Sequence, residues 1–439
     1  MKKYFFFAAA AIVAASCAKT PAPVQTPDGP EAPAVEGKVA VEFSSNIVTN
    51  VTTKGNGPVE GWNNQNLYIY GFQRIKDAES NVVKDYEHPF ITCVESTAPA
   101  SGNEGKINVY ESPNTPYYYN QSYTYDFYGF YVDDAATVTT KTDLTTGELN
   151  GKKGKKIAVA IDGSQDLMYA YADPKASVDT AIRRGTAFGG ASVRPGDWKD
   201  SYAFSAYAAR RGVHPFMTFK HALTRINVKV NSKSTFTQKV SGNDPLYAKS
   251  DTDPTETTDP SSGLKILTDS MYVTKVLVGS WTKADFYVAG DTLGLDLATK
   301  ADSTGLEMKQ YTSESDKTLV ALKKVGVKPS ADGIAASEFV PVGCGLMVFP
   351  SKTLDIYIEL EQDIPGSTRK ATSIVEKVLK MDDVQFNYSG YLSEFAAGYQ
   401  FDINLTVYGL EQVDITAELT PWKNGGSFEI DTDEVPSIF

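Results

Sequence analysis

Histidine and cysteine are scarce in this 439-residue chain, and each scarcity removes a class of chemistry. His88, His214 and His221 are the only histidines, and none has the H-E-x-x-H pattern or another metal-ligand spacing. Beyond Cys17 there are only Cys93 and Cys344, neither with a C-x-x-C neighbour. They fall in what read as different domains, so two separate buried thiols are expected rather than a disulfide. The chain has no G-x-S-x-G elbow and no G-x-x-x-x-G-K-[ST] phosphate cradle. "DTDPTETTDP" is acid-rich but lacks the central glycine and the correctly spaced terminal glutamate of a calcium loop. Positive charge is in deficit, with 42 Lys and Arg against 54 Asp and Glu. The net charge of −12 argues against nucleic acid, whose phosphates need a basic surface. Among so many acids, spacing alone nominates no glycosidase pair. The expectation is no enzyme, no cofactor and no metal.

Long apolar runs are missing too. Lys2 and Lys3 open the chain, Tyr4 to Val13 is apolar, and the small residues Ala14, Ala15 and Ser16 precede Cys17. This is the three-part layout of a secretory signal, and its apolar run is well short of the ~20 residues of a spanning helix. Small residues running into a cysteine resemble a bacterial lipobox, which makes Cys17 the expected lipidated first residue after removal of residues 1–16. Ala14 stands where that pattern usually has leucine. Residues 17–37 are a Pro/Ala/Thr/Glu tether too polar to bury a core, expected to hold a folded body off a membrane.

The remaining ~400 residues exceed what one core usually serves, so two domains are expected, 38–212 and 213–439. Strand signals dominate them. "KVAVEF" alternates Val39, Val41 and Phe43; "RINVKV" puts Ile226, Val228 and Val230 on one face. "NLYIYGF" alternates Leu67 and Ile69 against Tyr68 and Tyr70. "LDIYIEL" and "QFDINLTVYG" repeat the pattern. Period-two alternation means one buried and one wet face, as in antiparallel sandwiches, so the expected class is all-β. Long helical periods are absent; "SIVEKVLKMDDV" from Ser373 is the best short candidate and reads equally as a strand. Lys141–Lys156 looks like a hairpin loop, and Ser241–Gly263 like a long loop.

Two features invite a functional reading. "YYYNQSYTYDFYGFYV", Tyr117 to Val132, would serve as a glycan-stacking or protein-contact surface if exposed. Its alternation, with Tyr125, Phe127, Gly129 and Tyr131 on one face, favours core packing. His221 sits in a strand-like stretch and reads as a hydrogen-bonded structural histidine.

Several stretches in order resemble the fimbrillin superfamily of Bacteroidales, the subunits of type V pili. They are "YDFYGFYV" (Tyr125–Val132), "SQDLMYA" (Ser164–Ala170), "MTFKHALTRINVKV" (Met217–Val230), "GLMVFP" (Gly345–Pro350) and "GYQFDINLTVYGLEQVDITAELTPWKNGG" (Gly398–Gly426). The resemblance implies two tandem transthyretin-like Greek-key β-sandwich domains without catalysis. It also implies export as an outer-membrane lipoprotein, N-terminal trimming by a trypsin-like protease, and polymerisation into a surface pilus by strand exchange. Partners are then further copies and other pilus subunits, with host-surface or glycan ligands left open.

Carried onto this chain, the removable first strand is 38–54, cleaved between Lys54 and Gly55 in "TTKGNGPVEGW". Lysine stands there where arginine is common in the family. The candidate donor strands lie in 413–435: Val413, Ile415, Ala417 and Leu419, then Phe428 and Ile430 after the turn "KNGG". Stalk, anchor and tip subunits share this pattern. The competing reading is a monomeric surface lipoprotein that binds glycans through exposed aromatics.

Overall fold

The computed structural model describes residues 38–47, 61–76, 82–102, 104–133, 136–137, 140–174, 204–210, 213–232, 237–240, 256–258, 265–268, 271–313, 318–327, 339–363, 370–381, 384–386, 392–409 and 412–420. Along the first half run β1 (Phe43–Ile47), β2 (Asn66–Lys76), β3 (Val82–Lys84), β4 (Ile91–Thr97), β5 (Glu104–Ile107), β6 (Tyr110–Ser112), β7 (Thr115–Pro116), β8 (Tyr125–Val132), β9 (Thr145–Leu149), β10 (Lys152–Ala160), β11 (Leu167–Pro174), a short helix α1 (Ala206–Ala209) and β12 (Pro215–His221). The second half adds β13 (Thr224–Ser232), β14 (Thr237–Val240), β15 (Glu256–Thr258), β16 (Lys265–Thr268), β17 (Met271–Gly290), β18 (Gly294–Glu307), β19 (Lys309–Tyr311), β20 (Leu319–Ala321), β21 (Val325–Val327), β22 (Val340–Val348), β23 (Thr353–Asp363), β24 (Lys370–Lys380), β25 (Val384–Phe386), β26 (Gln400–Gly409) and β27 (Gln412–Thr420).

The fold is an all-β sandwich of three main sheets. The first has the order β3-β2-β8-β11-β12-β1-β5, with β4 also on β2. The second runs β24-β23-β17-β10-β9, with β18 and β21 added to β17. The third runs β22-β13-β26-β27-β25. Between β12 and β13 the chain passes from the first sheet to the third through two buried residues, Ala222 and Leu223. "MTFKHALTRINVKV" is therefore two strands in two sheets.

Alternation places the core of the third sheet as expected. Ile226, Val228 and Val230 of β13 and Phe401, Ile403, Leu405 and Val407 of β26 meet Leu354, Ile356, Ile358 and Leu360 of β23 in one cluster. The first sheet departs from the one-wet-face reading. Leu67 and Ile69 of β2 and Tyr125 and Phe127 of β8 enter one core with β1 and β12. Tyr68, Tyr70 and Phe72 with Tyr128 and Phe130 enter another, against β10 and β17. The tyrosine face is dry because a further layer covers it. The aromatic stretch is thus core: Tyr125, Phe127, Tyr128 and Phe130 are each at most 1% exposed, which leaves these rings no surface for stacking a glycan.

β17 ties the cores together. Its Val276 and Val278 pack in the third-sheet core, while Ala284, Phe286 and Val288 pack against the tyrosine face. These residues share one parity, so a single strand face serves both cores. Between them the Ser280 hydroxyl accepts the Phe349 amide at 3.1 Å.

Local chemistry explains two other elements. Lys141–Lys156 contains the β9–β10 hairpin, turned at Asn150 and Gly151 with φ of 54° and 73°. Both central residues of a type I′ turn need positive φ, which asparagine and glycine supply. The ambiguous segment at Ser373 is strand, since β24 pairs with β23 from Lys370 to Lys380. Part of the predicted loop 241–263 is also strand, β15 on β16. Cys93 is buried and Cys344 only half-buried; neither forms a disulfide, and each thiol donates to a carbonyl, of Lys141 and Lys309 respectively. Burial pushes the Cys93 thiol up to about 12.

Candidate functional site

Residues 38–47 fill a slot between β12 and β5 of the first sheet. Val41 N–H donates to the Tyr117 carbonyl at 2.8 Å, and Tyr119 N–H donates to Val39 at 3.0 Å. β1 then runs parallel to β12, Ser44 opposite Phe216 through Ile47 opposite Phe219, and antiparallel to β5, Phe43 opposite Ile107. It is an inner strand made by the first described segment of the chain. Removing it would leave β5 with no partner in the sheet and uncover one edge of β12.

The slot is apolar at its base. Val41, Phe43 and Ile47 are at most 4% exposed, and the Phe43 ring meets Phe127 edge-on at 5.0 Å. Three such side chains, at ~1.5–3 kcal/mol each, contribute roughly 5–9 kcal/mol. Two polar atoms work against the strand: Ser45 Oγ and Asn46 Oδ1 are buried without a hydrogen-bond partner among the described residues. Each such group costs about 1–3 kcal/mol. Tyr119 beside the slot is fully buried; burial first, then Tyr125 and Glu42, hold its phenol well above the usual range.

Of the candidate donor residues, the structure describes Val413, Ile415, Ala417 and Leu419. They lie in β27, opposite Val407, Leu405, Ile403 and Phe401 of β26, and β25 flanks Ala417–Leu419 on the other edge. The Ile415 side chain is 4% exposed, and its carbonyl accepts from Lys377 Nζ at 3.1 Å. Here β27 completes its own sheet. Cys17, Lys54, Gly55, Phe428 and Ile430 lie outside the described residues. Arg74, the next basic residue after Lys54, is a poor protease site. Its guanidinium is clamped on Asp126 at 2.7 and 2.8 Å, with side-chain exposures of 10% and 0%.

His221 Nδ1 lies 2.9 Å from the Asp166 carboxylate, both buried. Among the described residues no group of three His, Cys, Asp or Glu side chains is placed to hold a metal ion. Sequence reasoning found β1 by its alternation but not its walls. β12 and β5 are 172 and 64 positions away at the pairings Ser44 with Phe216 and Phe43 with Ile107, and pairing over such separations leaves no local signal.

Among solved structures the chain is similar to a fimbrilin from Porphyromonas gingivalis, at 10% identity over 89% of this chain and 99% of that one, TM-score 0.38. It is similar to a candidate cell adhesion protein from Parabacteroides distasonis, at 9% identity over 89% and 99%, TM-score 0.40. A candidate cell adhesion protein from Bacteroides eggerthii gives 12% identity over 88% and 96%, TM-score 0.35. No family model matches the chain, and no curated protein matches it.

Proposed function

We propose that this chain is a fimbrillin-type pilus subunit, built from tandem β-sandwich domains. It is exported as a lipoprotein on Cys17, trimmed after Lys54, and joined to further copies by strand exchange at the cell surface. The observation that carries the proposal is the place of β1. An N-terminal strand fills an inner position of a sheet, and the segment that follows contains a lysine among glycine and proline. Such a linker suits a protease, because glycine and proline favour exposed turns.

Cutting there would free the strand that closes the slot. Its inward residues are Val41, Phe43, Ser45 and Ile47, whereas β27 offers Val413, Ile415, Ala417 and Leu419 at the same spacing. An incoming β27 would replace the orphaned Ser45 hydroxyl with an apolar group. Exchange is therefore favoured once cleavage removes the tethered competitor.

Lys54→Ala is expected to leave full-length, lipid-bound protein and at least tenfold fewer filaments. Edman sequencing of assembled subunits should begin at Gly55. An N-terminus well away from Gly55 would refute the placement; an intact one would make this an anchor subunit. Cys17→Ala, examined alongside, should abolish fatty-acid labelling and accumulate precursor, and labelling that survives would remove the lipid anchor from the proposal.

A further inference from the structure

The chain's net charge is −12, yet one groove is lined by cations. It holds about 280 Å³ and is bounded by Arg225, Asn227 and Lys229 of β13, Tyr311 of β19, and the Pro341–Gly345 stretch of β22. Its origin is a break in pairing: Ile226 opposes Leu346, but Val228 opposes Val342, so Gly343–Gly345 bulge opposite Asn227 alone. Gly343 has φ +68°, and a Cβ there would lie 2.5 Å from the Lys309 carbonyl. At Gly345 a Cβ would run into the Arg225 guanidinium and lie 2.9 Å from Asn227 Oδ1. The two glycines create the space, and a bulge with glycines is where a strand admits a close approach.

The polar groups are held in place. Asp402 accepts from Asn227 Nδ2 at 2.8 Å, from Lys229 Nζ at 2.8 Å and from Gln400 Nε2 at 3.0 Å. That bond turns the Asn227 amide oxygen toward Gly345, offering an acceptor beside the Arg225 fork. Val228 and Val342, at most 2% exposed, form the base, and the half-buried Tyr311 ring forms a wall. A guanidinium fork suits a carboxylate, an amide oxygen suits a hydroxyl, and an apolar base with an aromatic wall suits the C–H face of a ring. The volume is just below the roughly 300–1,000 Å³ typical of ligand clefts, which limits the groove to a single small ring.

We infer that this groove binds a carboxylate-bearing sugar, one hexuronic acid residue. The inference is independent of polymerisation, because β13, β19 and β22 lie outside both the β1 slot and β27. Calorimetric titration of the full-length chain with sodium glucuronate should show saturable binding, with glucose and inorganic phosphate each at least tenfold weaker. Arg225→Gln should weaken glucuronate at least tenfold. Lys229→Gln, which leaves the guanidinium in place, should weaken it severalfold and serves if the first variant does not fold. Half-buried Cys344 lines the groove, so glucuronate should slow its alkylation severalfold in peptide-resolved mass spectrometry, and glucose should not. Glucose or phosphate binding as well as glucuronate, unchanged affinity in the variants, or neither heat nor Cys344 protection would overturn the inference.

Discussion

Deletion of Gly425–Phe439 is expected to yield folded, protease-trimmed monomers that form no filaments. The deletion stops short of β27, which ends at Thr420 on Gln400 of β26, so the third sheet keeps its described pairings. What it removes is Phe428 and Ile430, the second apolar pair of the proposed donor. An exchanged strand must replace what β1 contributes: three buried side chains and a two-sided ladder between β12 and β5. Val413, Ile415 and Leu419 supply about 5–9 kcal/mol at ~1.5–3 kcal/mol each, and Ala417 less, but leaving β26 gives up the burial of Ile415 and the ladder with β26. The surplus that makes a joint long-lived must come from the added residues. Electron microscopy and size exclusion of the trimmed protein decide the matter, and normal filaments from the truncated chain would end the donor role while leaving the fold untouched. The converse variant, Ser45→Val, removes a buried unpaired hydroxyl from the resident strand. It should strengthen β1 in its slot by about 1–3 kcal/mol and slow filament growth after cleavage.

Much of this architecture is legible from alternation alone. Ile226, Val228 and Val230, the even positions of β23, and Phe401 through Val407 all face the core that their period implies. Asn150–Gly151 announces its hairpin because only a few residue types accept positive φ in succession. The tyrosines of β2 escape the same logic, since a tyrosine face reads as wet until a second sheet is known to cover it. β17 escapes it for another reason. Its parity breaks at the register shift between Val273 and Lys275, so Val273 and Val276 both reach the core and no single period runs through twenty residues. The slot and the groove share one cause of invisibility. Each is made by strands far apart in sequence, and the signal at any one of them, a Ser45 or a Gly345, is a single residue out of pattern.

Asp126→Ala should be among the most destabilising single changes in the described body. Asp126 sits on the face of β8 that meets β10 and β17, fully buried, opposite Phe72 of β2. It accepts Arg74 Nε at 2.7 Å, Arg74 Nη2 at 2.8 Å and the Tyr171 hydroxyl at 2.9 Å, so one carboxylate joins β2, β8 and β11. Burial works against the Arg74 charge, but the hydrogen bonds and charge of Asp126 outweigh it and hold the guanidinium more firmly protonated. Nearby, the Tyr86 hydroxyl accepts the Asp291 amide at 3.0 Å and Lys84 pairs with the Asp291 carboxylate, which fastens β3 to the turn after β17. Alanine at 126 leaves a guanidinium only 10% exposed without its carboxylate. Removing one partner of a buried pair costs about 3–5 kcal/mol, whereas replacing both by apolar residues is often nearly neutral. Urea unfolding should therefore show a loss of about 3–5 kcal/mol for Asp126→Ala and a much smaller one for Arg74→Met with Asp126→Leu. The non-additivity is the diagnostic. A single variant within about 1 kcal/mol of the parent, or a double variant equal to the sum of the singles, would show that the pair behaves as a surface bridge and that the apolar contacts of β8 alone hold the first sheet to β17.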